Sequence, residues 1–148
     1  MKACGLIVEY NPFHNGHKYH LLKAQEITKC NLTIACMSGN YLQRGEPALL
    51  NKWLRAEMAV ENGVDLVVEL PSFYSNESAE IFALGAIKIL DYLKADSICF
   101  GSEAGEIESL QNIVDFSERK EFSERVKELL KDGISYPNAM RILIEEEF

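Results

Sequence analysis

The chain predicts an α/β fold in which a parallel sheet is covered by helices on both faces, and three observations lead there. Short apolar runs alternate four times with stretches of helical period. Turn signals such as Asn11-Pro12, Asn62-Gly63 and Pro71 separate them. After Gly101 the strand-like runs stop and three amphipathic stretches follow. The reading is therefore a Rossmann-like core over residues 1–104 and a helical extension over 105–148.

Ala3–Glu9 is an apolar run closed by a carboxylate, which marks a buried strand. From His17 to Thr28, Leu21, Leu22, Ala24 and Ile27 recur at helical spacing. Leu32–Met37 is the second strand. Ser38–Pro47 holds two glycines and no apolar period, so it reads as a loop. A helix is predicted over Leu50–Glu61 with Leu50, Trp53, Leu54 and Met58 on its core side and Asn62-Gly63 as its stop. On that spacing Trp53 belongs to the core. Val64–Leu70 is the third strand, Ser78–Leu93 a well-buried third helix, and Ser97–Gly101 the fourth strand. Beyond it, Ile107–Phe116 and Phe122–Leu130 carry helical patterns, and Ser135 with Pro137 signals the start of a last helix.

Composition narrows the classes of function. A length of 148 residues suits about one domain, and 47% hydrophobic with 26% charged residues is an ordinary globular balance. The longest apolar candidate, Ile81–Leu93, is interrupted by Lys88 and Asp91, so no membrane span is expected. The N-terminus has no signal-peptide pattern, and a cytoplasmic location is expected. Cys4, Cys30, Cys36 and Cys99 form no CxxC pair, which favours reduced thiols over disulfides or a zinc site. The net charge of −8 argues against a nucleic-acid-coating protein, yet residues 1–60 hold seven Lys or Arg against four acids. That polarity leaves the N-terminal part positive, as suits a polyanion, or simply makes the remainder an acidic solvated surface.

The chemistry concentrates in Gly5–His20. His14 and His17 flank the start of a helix that follows the carboxyl end of a strand. The first turn of a helix offers unpaired N–H groups and the positive end of the dipole, and imidazoles add donors, so the place suits a phosphate. Gly16 lets an anion approach the backbone closely. Displacement at a nucleotide's α-phosphate calls for donors of this kind. In a parallel sheet, ligands bind beyond the carboxyl ends of the strands. Tyr10-Asn11, Glu69-Leu70, Gly101-Ser102-Glu103 and the loop after the second strand are all expected at that rim. Neither GxGxxG nor GxxxxGK[ST] occurs. The three histidines, spaced three apart, also fit a transition-metal site, although no carboxylate is placed to complete one. Glu69 and Glu103 read equally well as hydrogen-bonding groups at strand ends.

The segment Asn11-Pro12-Phe13-His14-Asn15-Gly16-His17 resembles the HxGH signature of the nucleotidyltransferase superfamily. VEYNPFHNGHKYHL, MSGNYLQRGEPALLNKW, GVDLVVELP and FGSE together resemble the bacterial tRNA(Met) cytidine acetate ligase family over nearly the whole chain. That resemblance implies an enzyme that converts acetate and ATP, with Mg²⁺, to acetyl-adenylate and pyrophosphate, then acetylates N4 of the wobble cytidine of elongator tRNA(Met). It implies His14 and His17 as catalytic phosphate donors. The ATP-binding segment it implies is Ile7, Val8, Glu9, Tyr10, Asn11, Pro12, Phe13, His14, Asn15, Gly16, His17, Lys18, Tyr19 and His20, joined by Gly101. Arg44 and Gln43 are candidates for phosphate or substrate, Asn40 and Glu46 for shaping the acceptor pocket, and Phe13, Tyr41 or Phe73 for lining an acetate pocket. No metal ligand of the protein's own is expected, and acetate, ATP and tRNA are the expected partners. The family pattern also continues beyond the matched region, so the chain is expected to be incomplete and to bind ATP weakly at most. A metabolite adenylyltransferase and a non-catalytic RNA-binding module remain as alternatives.

Overall fold

A computed structural model describes residues 1–102 and 107–148, so Glu103 and the expected 104/105 boundary lie outside the described residues. The chain divides into two compact units, Met1–Gly101 and Ser102–Phe148.

In the first unit, β1 (Ala3–Val8), β2 (Leu32–Ser38), β3 (Leu66–Leu70) and β4 (Ser97–Cys99) form a sheet of order β3-β2-β1-β4. Every pairing is parallel. The intervening helices are α1 (Asn15–Thr28), α2 (Lys52–Glu61), the short α3 (Ser72–Ser75) and α4 (Ala79–Tyr92).

Strand alternation divides the core in two. Cys4, Leu6, Val8, Ala35 and Met37 meet Leu21 and Ala24 of α1 and Ala59 of α2. On the opposite face Ala3, Ile34, Cys36 and Leu70 meet Ala86 and Leu90 of α4. Gly5 makes that second contact close, because a Cβ there would stand 2.6 Å from a Leu90 methyl carbon. The amino-terminal edge of the sheet is held by side-chain acceptors: Asp96 takes the Ala3 N–H at 2.7 Å, and Asp65 the Thr33 N–H at 2.8 Å.

The elements match the sequence expectations with shifted ends and two corrections. The α1 helix starts two residues earlier than its apolar period indicates, because His14 caps it. The turn α3 lacks any periodic signal and was not anticipated. The first correction concerns α2. Its buried residues are Arg55 and Ala59, and Trp53 is 75% exposed. Hydrophobicity placed Trp53 inward, whereas the hydrogen-bonding demand of the sheet rim turns the arginine inward. The second concerns α4, which buries Gly85, Ala86 and Leu90 but leaves Leu84 and Ile87 exposed.

Arg55 has no exposed surface. Its guanidinium donates to the carbonyls of Glu9, Ser38 (3.0 Å), Gly39 and Leu50 (3.1 Å). These are acceptors at the carboxyl ends of β1 and β2 and at the entry to α2, where no further strand residue donates to them. Burial lowers the guanidinium's pKa, and the nearby Glu9 and Glu69 carboxylates oppose that shift.

The second unit contains α5 (Ile107–Ser117), α6 (Lys120–Lys131) and α7 (Tyr136–Glu147). Phe116, Phe122, Val126, Ala139 and Leu143 form its core. Ser135 occupies the predicted cap position of α7 without a side-chain cap bond, and Pro137 lies in the first turn as expected.

Replacing Arg55 with alanine leaves four buried carbonyls without their donor. Urea unfolding of Arg55→Ala is expected to show a loss of about 3–5 kcal/mol. Arg55→Lys recovers only part of it, since an ammonium cannot reproduce the guanidinium fork; full recovery by lysine would contradict the clamp.

Candidate active site

A cleft of about 740 Å³ opens at the carboxyl ends of β1 and β4, where the strand order reverses. One wall is formed by Ile7, Val8, Glu9, Tyr10 and Asn11 at the end of β1 and by His14, His17 and His20 of the cap and first turns of α1. Facing residues are Leu42, Gln43, Arg44 and Glu46 of the loop after β2, Ala79 and Phe82 of α4, and Phe100 and Gly101 after β4.

The two histidines form a reciprocal cap. His14 Nδ1 accepts the Gly16 N–H at 3.1 Å, and His17 Nδ1 accepts the His14 N–H at 3.3 Å. Their rings stack with centroids 3.7 Å apart. An imidazole nitrogen that accepts a hydrogen bond carries no proton, so each ring is the Nε2–H tautomer while this cap is formed. Two of the backbone groups expected to meet an anion are thus already engaged. The two Nε2–H groups are side-chain donors added at this helix start.

Gly16 has a different role from the one inferred by sequence. A Cβ on it would lie 2.9 Å from His14 Cε1, so the glycine makes room for the capping ring. His17 is further packed by Tyr10 and Phe13, with ring centroids 4.9 and 5.6 Å away. Partial burial, with added repulsion from His14 and His20, lowers the His17 pKa. Tyr10 is buried with its hydroxyl unpartnered, and burial pushes its pKa up to about 12. Its φ of 48° turns the chain sharply from β1 toward Asn11.

The opposite wall is fixed by polar side chains. Glu9 Oε1 accepts the Gln43 N–H at 2.7 Å, and Asn11 Oδ1 accepts the Leu49 N–H at 2.7 Å. Gln43 Nε2 donates to the Glu77 carbonyl at 2.9 Å. Backbone bonds from Leu42 to Glu46 and from Ala48 to Asn40 close the loop into a narrow finger. Gly45 sits at its tip with φ +77°, a conformation that favours glycine. Arg44 and Glu46 flank that glycine, line the cleft and are exposed. Neither is in a salt bridge among the described residues.

Of the predicted segment, Ile7 to Asn11 and the three histidines line the cleft. Pro12, Phe13, Asn15, Gly16, Lys18 and Tyr19 do not; Phe13 packs behind His17, and Lys18 and Tyr19 are exposed. Gly101 lines the cleft, and a Cβ on it would meet nothing within 4 Å. Asn40 Oδ1 accepts the Lys52 N–H at 3.1 Å, so Asn40 orders the loop rather than lining the cleft. The end of β3 does not reach it either, because β3 lies at the far edge of the sheet beyond β2. Glu69 instead pairs with Lys52 at 2.6 Å. Tyr41 and Phe73 are not among the lining residues, whereas Phe82 and Phe100 are. Sequence reading missed the contribution of α4, although Ser78, whose Oγ accepts from the Ile81 N–H, is a recognisable N-cap.

Among the described residues, no three His, Cys, Asp or Glu side chains converge on a point that could hold a metal ion. All four cysteines are free thiols, Cys4 and Cys36 buried and the other two half-buried. Among the described residues, no helix is long and apolar enough to cross a membrane.

A model of the HIGH Nucleotidyl Transferase family matches residues 1–148. The tRNA(Met) cytidine acetate ligase of Caldicellulosiruptor saccharolyticus is 53% identical over 98% of this chain and 37% of its own length. That of Thermoanaerobacter sp. (strain X514) is 50% identical over 99% and 37%. The crystal structure of Thermotoga maritima TmcAL bound with alpha-thio ATP matches with a TM-score of 0.90 at 45% identity, covering 100% of this chain and 36% of that one. The chain therefore spans a little over a third of the length of these relatives.

A lowered pKa means that folded His17 resists a proton its unfolded counterpart takes up near pH 6.5. The associated stability is fully present above pH 6.5 and is lost as the pH falls below it toward the folded pKa. Long-range ¹H–¹⁵N spectra are expected to show unprotonated Nδ1 on both rings at pH 7.5 and a His17 midpoint below 6.5. A midpoint above 6.5, or protonated Nδ1 at pH 7.5, would refute the reciprocal cap.

Proposed function

The chain belongs to the HIGH nucleotidyl transferase family, and from that premise we propose that it forms the nucleotide-activating part of a tRNA(Met) cytidine acetate ligase. The observation that carries this reading is the pair of Nε2–H imidazole donors across the cleft from Arg44, whose guanidinium has no salt-bridge partner among the described residues. Such a pairing of capped imidazole donors and an exposed guanidinium suits a triphosphate.

In this reading ATP lies over the end of β1, with its phosphates at His14 and His17 and its nucleoside toward Gly101. Magnesium accompanies the triphosphate as part of the substrate. A carboxylate oxygen of acetate attacks the α-phosphorus and pyrophosphate departs with the bonding electrons. The two Nε2–H groups hold phosphoryl oxygens as charge grows on them, and because the cap fixes both rings, little reorganisation is required. The exocyclic N4 amine of the wobble cytidine of elongator tRNA(Met) then takes the acetyl group, and AMP leaves. The Met1–Gly101 unit supplies this site.

Resemblance in four separate motif blocks, the neighbouring ligases at about 50% identity and the cleft geometry support the same assignment. A metabolite adenylyltransferase would need the same histidines but no acetate. Acetate dependence of ATP–pyrophosphate exchange therefore decides between them.

Exchange by the full-length protein is expected to require acetate and to fall about 10²–10³-fold in His17→Ala, the range found on removing one donor to a developing anion. Exchange without acetate, or an unaffected His17 variant, would refute the proposal. His14→Asn is the cleaner probe of the other ring, since asparagine keeps a good N-cap while removing the Nε2 donor. It is expected to lower exchange while the thermal midpoint stays within a few degrees of wild type. Arg44→Ala is expected to weaken ATP binding by calorimetry, and more at low salt than at high salt.

A further inference from the structure

Transfer of an acyl group to an aromatic amine leaves one proton too many on nitrogen, and the cleft restricts where that proton can go. His14 and His17 cannot take it while their cap is formed. Each Nδ1 accepts a backbone N–H, so each Nε2 bears hydrogen and has no free lone pair. His20 also lines the cleft, but its Nε2 has no exposed surface from which to meet the acceptor. Tyr10 is buried and holds its proton to about 12. Gln43 and Arg44 offer no basic atom at neutral pH.

Among the described lining residues two carboxylates remain, Glu9 and Glu46. Glu9 is committed to structure: its Oε1 anchors the loop through the Gln43 N–H, and its charge opposes the desolvation of Arg55. Protonating Glu9 would loosen the wall of the site. Glu46 differs on both counts. Its backbone carbonyl, not its side chain, closes the finger by accepting from Leu42, and its carboxylate has no hydrogen-bond or salt-bridge partner among the described residues. It is exposed on the cleft beyond Gly45, two residues past Arg44.

Resting on the ligase reading above, we propose that Glu46 is the general base of the transfer step, accepting the proton from the exocyclic amine of the cytidine acceptor. The nitrogen lone pair attacks the acyl carbon of acetyl-adenylate and a C–N bond forms. The acyl C–O bond to AMP breaks, and AMP departs with that electron pair on its phosphate oxygen. The surplus N–H proton passes to a Glu46 carboxylate oxygen and then to water. On this assignment Arg44 and Glu46 divide the finger's work: the cation faces the nucleotide, and the carboxylate faces the acceptor.

The test is the ratio of two rates measured on the full-length protein, acetyl transfer to tRNA(Met) and acetate-dependent ATP–pyrophosphate exchange. In Glu46→Gln the ratio is expected to fall about 10²-fold or more, the usual contribution of a positioned base. Glu46→Asp should recover part of it. Hydroxylamine, a stronger nucleophile that needs no positioned base, should intercept acetyl-adenylate in Glu46→Gln as efficiently as in wild type, relative to exchange. An unchanged ratio would overturn the assignment, leaving the proton to water or to the departing phosphate. So would a parallel loss of exchange and transfer, which would make Glu46 a binding residue for the first step. Exchange by wild type that ignores acetate would instead overturn the ligase reading itself, and the base assignment with it.

Discussion

The carboxyl ends of parallel strands are both where ligands bind and where the backbone has acceptors left over, and Arg55 reconciles the two demands. Its guanidinium joins the ends of β1 and β2 to the start of α2 through four carbonyls. A neutral side chain there has too few donors, and a lysine has the wrong shape. The cost is a cation with no exposed surface, which the nearby charges of Glu9 and Glu69 offset. Glu9 then reaches outward to hold Gln43. One buried group thereby fixes both the floor of the cleft and, through its counter-charge, the loop that forms the facing wall.

That chain of dependence explains which parts of the molecule were legible in the sequence. The strands were readable because burial on both faces makes them continuously apolar, as in Leu32–Met37. Their parallel direction follows from the alternation of strand and helix and its crossovers, whereas their order was not legible, which is why Glu69 was expected at the cleft. What failed was the assignment of faces on α2. Periodicity counts hydrophobicity, and on that measure Trp53 outranks Arg55. Nothing local in Lys52–Glu61 reveals that three distant carbonyls, besides that of Leu50, require a donor at position 55. The demand is tertiary and only appears once β1 and β2 are laid side by side. The turn at Ser72–Ser75 escaped for a simpler reason, since four residues are too few to show a period.

The candidate site was legible in its identity and less so in its mechanics. His14, His17 and Gly16 stand out as a motif, and their position between the first strand and first helix follows from the pattern around them. The pattern assigned donors to the backbone as well as to the imidazoles, and the glycine to close approach of a ligand. In the folded chain the histidines take up the backbone groups themselves, and the glycine accommodates the His14 ring. Side-chain capping by histidine has no strong sequence signal, because Ser, Thr, Asp and Asn are the usual caps. The facing residues Ala79, Phe82 and Phe100 were invisible for another reason: nothing in their own segments sets them apart from ordinary helix and strand-end residues.

Using imidazoles in place of bare backbone amides changes what the helix start can do. A backbone N–H is held at its place on the helix, whereas a capped imidazole carries its Nε2–H on the far side of the ring while remaining tied to the same helix turn. In the proposed reaction these donors meet a phosphoryl group without the helix itself having to approach it. The arrangement also requires neutrality, since a proton on either Nδ1 would break the hydrogen bond that aims the ring. Desolvation of His17 beneath Tyr10 and Phe13, with repulsion from His14 and His20, favours the neutral form of that ring. On the proposed reading, phosphate binding depends on oriented dipoles rather than on histidine charge, and Arg44, the one Lys or Arg among the described lining residues, acts from the opposite side.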